Sequence, residues 1–243
     1  MFSPPNYSAP ESFLDPKFGP WTVPLYLHRK PILDSVREAS PVLKGKLLDV
    51  GCGDKPYASL LSCSRHVGLD IASSPHCKSN FDATYDGVVL PFGDAEFDSA
   101  LCTEVLEHCR DPQRVVQEMW RVLKPGGYAL VTVPMVIHHH EEPWDFQRFT
   151  WYGMKELAKQ SGFQLVWLRP RGNIYSAGLG VFYTVLGYTL SKRPVIDVLL
   201  WLFWPVALVF MWCDKKAGND PPPMSLGWQM LVQKPYISLS GET

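Results

Sequence analysis

Lys46-Leu-Leu-Asp-Val-Gly-Cys-Gly-Asp54, followed by Lys55-Pro-Tyr57, is the stretch that decides how this chain folds. Leu47, Leu48, Asp49 and Val50 favour a buried strand, and two glycines one residue apart, Gly51 and Gly53, follow at once. Neither has a Cβ, so the turn can take positive φ and a ligand can lie against bare backbone. A short helical pattern from Tyr57 to Leu61 comes next, and its free N–H groups would face the same spot. A strand, a tight turn and a helix start in this order suit a nucleotide-type ligand.

The pattern is not a dinucleotide fingerprint, because Pro56 stands where the third glycine of G-x-G-x-x-G would be. The Lys-Ser/Thr pair of a phosphate loop is missing too. Downstream, Val67-Gly68-Leu69-Asp70 reads as a second buried strand ending in a carboxylate that could hold the two hydroxyls of a ribose, with Ile71 beside it. The expected ligand has a ribose and need not have a pyrophosphate.

These residues resemble motif I and the following acidic loop of the class I S-adenosylmethionine-dependent methyltransferases, of the type 11 kind. Three later stretches agree in order and spacing: Val89-Leu-Pro-Phe92, Phe97-Asp98 through Val105-Leu-Glu-His108, and Arg121-Val-Leu-Lys-Pro-Gly-Gly127. The resemblance runs from residue 46 to about residue 170. It implies S-adenosylmethionine as cofactor, with Asp49, Gly51, Cys52 and Gly53 around the methionine moiety and Asp70 on the ribose. Asp86, with Gly87 beside it, falls where the family bonds the adenine amino group, a donor that a carboxylate can accept. Read alone, Asp86-Gly87 is also a turn dipeptide.

Composition sets outer limits. The 243 residues and 46% apolar content allow one sizeable α/β domain with an added element. With 23 basic and 24 acidic residues the chain lacks the charge footprint of a nucleic-acid binder, so no nucleic-acid partner is expected. Cys52, Cys63, Cys77, Cys102, Cys109 and Cys213 have no framework spacing and read as reduced thiols of a cytoplasmic protein. Met1 to Pro24 has no apolar run of signal-peptide length.

In chain order, residues 1–23 are a proline-rich arm with Phe2, Tyr7, Phe13, Phe18 and Trp21, either packed over a cleft or a loose tail. A helix is expected over Leu25–Ala39, stopped by Pro41 and Gly45. Ser73 to Ser79 is a loop or short helix, and Phe97–Thr103 is the fourth strand. Asp111-Pro112 starts a helix that Lys124-Pro-Gly-Gly127 ends. Tyr128–Val133 is the fifth strand, Trp151–Gln160 a helix with Thr150 as its N-cap, and Phe163–Leu168 the sixth strand. Ligands bind beyond the carboxyl ends of such strands, which places Thr103 and Glu104 on the cofactor side and Pro134 to Phe149 near the methyl group.

That last loop contains Ile137-His-His-His-Glu-Glu-Pro-Trp-Asp-Phe-Gln-Arg-Phe-Thr150. Imidazole and carboxylate are ligands for zinc or iron, but neighbouring side chains in an extended loop point apart, so no metal is expected. A histidine such as His139 or His140 in the substrate pocket could take a proton from a nucleophile, as could His108 beyond the fourth strand or Asp145. Structural roles compete with each. The Leu-Glu-His pattern recurs across the family, and Asp145 and Arg148 could pair with each other.

Two uncharged apolar stretches, Asn173–Leu190 and Val198–Cys213, precede Gly227–Lys234, the expected seventh, antiparallel strand. They form an apolar helical insertion between strands six and seven, standing over the active site. Arg169 and Arg171, Lys192 and Arg193, and Lys215 and Lys216 flank its ends, and Trp201, Trp204 and Trp212 suit a membrane interface. A lid, a homodimer interface and peripheral membrane contact through 174–213 are the three readings.

The expected fold is therefore α/β: a Rossmann-like, doubly wound seven-stranded sheet. The arm and helix occupy 1–45, the S-adenosylmethionine-binding domain 46–172 and 224–237, and the insertion 173–223. The expected function is methyl transfer to an oxygen or nitrogen nucleophile, less readily carbon, of a small apolar or lipid-linked acceptor, at the inner face of a membrane. The rival is a retired methyltransferase fold that docks a membrane or partner; a weaker one is an enzyme of this fold using another nucleoside.

Overall fold

The computed structural model describes residues 11–72, 81–189, 193–217 and 221–236. Its strands are β1 (Lys46–Val50), β2 (Arg65–Ile71), β3 (Ala83–Tyr85), β4 (Phe97–Thr103), β5 (Leu123–Pro134), β6 (Gln164–Pro170) and β7 (Gly227–Gln233). They form one sheet in the order β3-β2-β1-β4-β5-β7-β6. β1 to β5 pair in parallel, and β7 lies antiparallel between β5 and β6. This is the expected seven-stranded architecture, with the glycine turn at the carboxyl end of β1, next to the central strand β4.

The helices are α1 (Glu11–Leu14), α2 (Val23–Ala39), α3 (Pro112–Val122), α4 (Trp151–Gln160), α5 (Ile174–Thr189) and α6 (Arg193–Lys216). α2 begins slightly ahead of the expected Leu25, because Pro24 sits in its first turn, where a missing N–H costs nothing. α3 starts on the Asp111 carboxylate, which accepts the Arg114 N–H at 3.0 Å, and α4 on Thr150, which accepts the Gly153 N–H at 3.0 Å.

Two expectations are corrected. The helix expected after the glycine turn is a single 3-10 turn, Ala58–Leu60. Pro56 has no N–H to give a helix, and the chain must return to the sheet edge by Arg65. β5 begins at Leu123 rather than Tyr128, because Leu123 already pairs with Phe97 of β4. The loop expected over Ser73–Ser79 lies outside the described residues.

Alternation along the strands splits the core. Leu48, Val50, Ala100 and Val131 face α3 and α4, with Val115, Met119, Met154 and Trp228. Leu47, Leu101 and Leu130 face α2, with Ile32, Leu33 and Val36. The other side of α2 presents Val23 and Leu27 to Leu179, Tyr183, Leu200 and Ala207 of α5 and α6. α2 thus joins the sheet to the insertion.

Trp228 tests the central packing, since it is fully buried and its Nε1 donates to the Phe149 carbonyl at 2.7 Å. Trp228→Ala should lower the unfolding free energy by about 3–5 kcal/mol in urea denaturation; a loss under about 1 kcal/mol would mean this position collapses without a cavity.

Candidate active site

The carboxyl ends of β1, β4 and β5, with α2 and α5, enclose a cavity of about 1610 Å³. A drug-sized ligand needs roughly 300–1,000 Å³, so there is room for a cofactor and a second molecule.

Gly51, Cys52 and Gly53 line one end. The Gly51 and Cys52 N–H groups donate to the Leu69 carbonyl at 2.8 and 3.1 Å, which fastens the turn to β2. Gly51 has φ +64°, and a Cβ there would meet Val105 Cγ2 at 2.3 Å, so only glycine fits. Asp70 is buried, its Oδ2 accepting the Gly53 N–H at 2.9 Å and its Oδ1 the Ile71 N–H at 2.8 Å. Asp70 and Ile71 do not themselves line the cavity, but a carboxylate has roughly four acceptor sites, so Asp70 keeps capacity for hydroxyls while it holds the turn. These backbone and carboxylate groups fit a nucleoside with a polar tail.

Other sequence candidates sit elsewhere. Asp49 is buried behind the turn and does not line the cavity; its Oδ2 is 2.9 Å from His66 Nε2. Burial raises its carboxyl, and His66 opposes the rise. Asp86 and Gly87 also lie outside the cavity. Asp86 Oδ1 accepts the Val88 and Val89 N–H groups at 2.9 and 2.8 Å, so it holds its own turn. Thr103 lines the cavity at the end of β4.

The next residue, Glu104, has φ +55°, a conformation rare outside glycine. It is held there by Arg171, whose Nη1 donates to Glu104 Oε2 at 2.8 Å while Nη2 bonds Oε1 and donates to the Val133 carbonyl at 3.1 Å. Thr132 Oγ1 donates to Glu104 Oε1 at 2.8 Å. Burial would raise the Glu104 carboxyl, but Arg171 and Thr132 outweigh it and keep it low. Arg171 is fully buried, so it is a core ion-pair residue and not the membrane flank that its place beside an apolar run suggested.

Another part of the lining is imidazole-rich. His108, His138, His139, His140 and Asp145 all belong to it. His108 Nδ1 lies 2.9 Å from the Trp144 carbonyl, and its ring is 4.9 Å from that of His140. Burial lowers the His140 pKa. His139 is 83% exposed at its side chain. Asp145 pairs with both guanidinium nitrogens of Arg148 and accepts the His140 N–H at 3.1 Å. Arg148 depresses its carboxyl far below the usual range, so Asp145 is the pair partner its spacing offered and a clamp for the loop.

Three further groups line or support the site: His28, which carried no sequence signal, Phe13 of the aromatic arm and Glu107 of the Leu-Glu-His pattern. His28 reaches the cavity from α2; burial and then the Arg171 charge lower its pKa to about 3, so it stays neutral. Phe13 lines the cavity near the glycine turn, its ring edge-on to Tyr57 at 6.1 Å, so this part of the arm does cover the cleft. Glu107 is fully buried, and among the described residues neither of its carboxylate oxygens has a hydrogen-bond partner. Burial, reinforced by Glu104, pushes its carboxyl well above the usual value.

Residues 48–131 match the family model described as a methyltransferase domain. Over 198 residues the chain is 33% identical to a ubiquinone biosynthesis O-methyltransferase of Klebsiella pneumoniae, covering 71% of this chain and 81% of that one. The chain belongs to the class I S-adenosylmethionine-dependent methyltransferases. S-adenosylmethionine is the cofactor that goes with this family and with the glycine turn. A relative of the same description from Sodalis glossinidius is 34% identical over 115 residues, 41% of this chain and 46% of the relative. The chain spans about half the length of that curated relative and of those that rank beside it. A solved S-adenosylmethionine-dependent methyltransferase from Archaeoglobus fulgidus shares the fold at a TM-score of 0.54 and 14% identity, covering 84% of this chain and 94% of the other.

The methyltransferase's orphaned Glu107 gives a pH signature. Its folded-state pKa is raised, so its contribution to stability is complete below the unfolded value and is lost as pH rises towards the folded value. Glu104 and Asp145, with lowered pKa values, have the opposite slope and lose their contribution as pH falls through the carboxylate range. Glu107→Gln should therefore stabilise chelator-treated protein in urea more at about pH 8 than at about pH 5. An equal or reversed difference would mean that Glu107 is ionised at little cost.

Proposed function

We propose that this methyltransferase transfers a methyl group to an oxygen or nitrogen nucleophile of a small acceptor with an apolar body. The observation that carries the reading is the division of the cavity. Gly51 to Gly53 lie at one end, imidazoles at the other, and Val181, Tyr183, Val185 and Tyr188 of α5 form a largely apolar wall between. The cofactor supplies an electrophilic methyl on a sulfonium, which an in-line nucleophile displaces. Chain groups then mainly bind and orient. Gly51, Cys52 and Gly53 receive the amino-acid tail, with Asp49 behind them, and Asp70 and Ile71 meet the ribose. Asp86, whose Oδ1 holds the turn, offers Oδ2 to the adenine amino group, with Gly87 leaving space beside it. Thr103 lines the path between. The acceptor's reacting atom lies beside His108 and His140, the latter in the loop that Asp145 clamps, with the largely exposed His139 facing away. Ubiquinone biosynthesis O-methyltransferases among the relatives favour an oxygen acceptor.

The source of such an acceptor is a lipid surface. Val195–Lys216 is long and apolar enough to cross a membrane, with a mean hydropathy of 2.1 and 11% of its apolar window buried. Val198, Trp201, Leu202, Val209 and Trp212 form an exposed face on α6, and Lys215 and Lys216 end it. Pro205 and the packing of α6 on α2 and α5 favour a helix lying in the interface over one that spans. The reading places the protein in the cytoplasm, peripheral at the inner face of a membrane. A homodimer burying the same face is the competing occupant.

Calorimetric titration with S-adenosylmethionine tests the reaction class: wild type should bind it, and Asp70→Ala should weaken binding by about tenfold or more. Failure of the folded wild type to bind would overturn the reading in favour of a docking module with a retired site. In flotation with anionic vesicles the wild type should float and a Trp201→Ser, Leu202→Ser, Trp212→Ser variant should not. A wild type that stays unbound and sediments as a dimer would assign α6 to the dimer.

A further inference from the structure

We propose that Glu107, His108 and His140 bind one divalent transition-metal cation, of the zinc type, at the polar end of the cavity. Their ligand atoms lie within 4.8 Å of one another. A cation with N and O ligands at 2.0–2.2 Å sets those atoms roughly 3–3.5 Å apart. His108 Nε2 and Glu107 Oε1, at 3.7 Å, are close to that already.

The tautomers point the same way. A backbone carbonyl only accepts, so the imidazole nitrogen facing one carries the hydrogen. His108 Nδ1 faces the Trp144 carbonyl at 2.9 Å, and His140 Nδ1 faces the His138 carbonyl at 3.2 Å. Each neutral ring is left with a bare Nε2 lone pair. His108 Nε2 then looks at Glu107 Oε1 and Glu141 Oε2, both at 3.7 Å, too far for a hydrogen bond. Lone pairs and carboxylate oxygens converging in this way are stabilised by a positive species among them, a proton or a cation. The fully buried Glu107, with neither oxygen hydrogen-bonded among the described residues, has the same unmet need.

Support around the cluster is also of the kind a cation site uses, since ligating imidazoles usually donate their second N–H to a carbonyl or carboxylate. The Phe146 and Gln147 N–H groups donate to the Glu107 carbonyl at 2.9 and 3.2 Å, tying the two contributing segments together. The objection that adjacent histidines point apart does not apply, because the tract supplies only His140. The other two ligands come from the 3-10 turn Leu106–His108 after β4. Two imidazoles and one carboxylate suit zinc, iron, cobalt or manganese better than magnesium or calcium, and three protein ligands leave a position open.

The role of the cation rests on the methyl-transfer reading above; its binding does not. With an acceptor hydroxyl in the open position, the cation lowers the proton affinity of that oxygen. The proton leaves to solvent, and the O–CH3 bond forms as the sulfonium C–S bond breaks. The sulfur keeps that electron pair, and the cation is unchanged.

The test is cobalt(II) titration of the chelator-treated full chain, read by d–d absorption, with zinc competing against a chromophoric chelator. One equivalent per chain is expected. Glu107→Gln and His140→Ala, each checked for native circular dichroism, should weaken it by about 10–100-fold or more. No stoichiometric uptake by the wild type overturns the proposal. So does unchanged affinity in Glu107→Gln, which would assign uptake to the exposed histidine tract. S-adenosylmethionine calorimetry on the metal-free chain separates the two readings. Cofactor binding without a cobalt site overturns the cation alone, and a cobalt site without cofactor binding overturns methyl transfer alone.

Discussion

The bidentate pair between Glu104 and Arg171 is the constraint on which the rest of the site depends. It joins the end of β4, in the middle of the sheet, to the residue just after β6, where the helical insertion begins. Desolvating two charges costs several kcal/mol per ion, and further contacts to the pair offset part of this, although Arg171 Nε has no hydrogen-bond partner among the described residues. Thr132 and the Val133 carbonyl supply those contacts from β5. Gly227 makes room: a Cβ there would lie 2.4 Å from the Val133 carbonyl oxygen and 3.0 Å from Arg171 Cζ. The first residue of β7 is therefore fixed by a guanidinium that stands behind Glu104 of the cavity wall. Removing one partner would leave the other charge buried alone, a greater loss than removing both.

Just beyond that pair the insertion closes on itself. Asp214, near the end of α6, accepts the Asn173 N–H at 2.9 Å and the Ser176 N–H at 3.3 Å, so its carboxylate caps the start of α5. The two ends of the hairpin are tied at its base beside Arg171. From there α5 runs along the cavity and α6 lies outside it. The arm completes the packing: Phe18 lies 4.4 Å from Trp204, and Trp21 Nε1 donates to Asp197 Oδ1 at 2.7 Å. Asp197 would otherwise be a charge without compensation in an apolar helix. One side of α6 is thus satisfied within the chain, and Val198, Trp201, Leu202, Val209 and Trp212 on the outward side are exposed.

The sheet was legible because it is built from local signals. Leu-Leu-Asp-Val into Gly-Cys-Gly, Gly-Leu-Asp70 and the alternating run to Thr103 each specify a strand end, and strand ends gather the site. The insertion was legible too, since apolar runs of helical length between strands six and seven have few alternatives. What failed depended on partners far along the chain. Arg171 beside an apolar stretch looks like a flank until Glu104, 67 residues away, claims it. The Tyr57–Leu61 pattern looks helical until Pro56 and the early start of β2 leave space for one turn only. His28 carries no motif at all, and its place at the cavity follows from the packing of α2 between sheet and insertion.

The histidine tract shows how a local pattern acquires a direction. In an extended segment side chains alternate, so His138 and His140 share a side and His139 points away. That is the arrangement observed: the rings of His138 and His140 are 6.5 Å apart, while His139 is largely exposed. His140 then meets His108 at 4.9 Å, and His138 meets Tyr188 of α5 at 5.9 Å. These contacts make a continuous row of rings from the end of β4 to the wall that faces the acceptor. Because Asp145 and Arg148 fix the loop from behind, the row cannot shift as a unit without breaking a half-buried ion pair. α5 touches this row through Tyr188 and His138, so the insertion and the imidazoles share a direct ring contact.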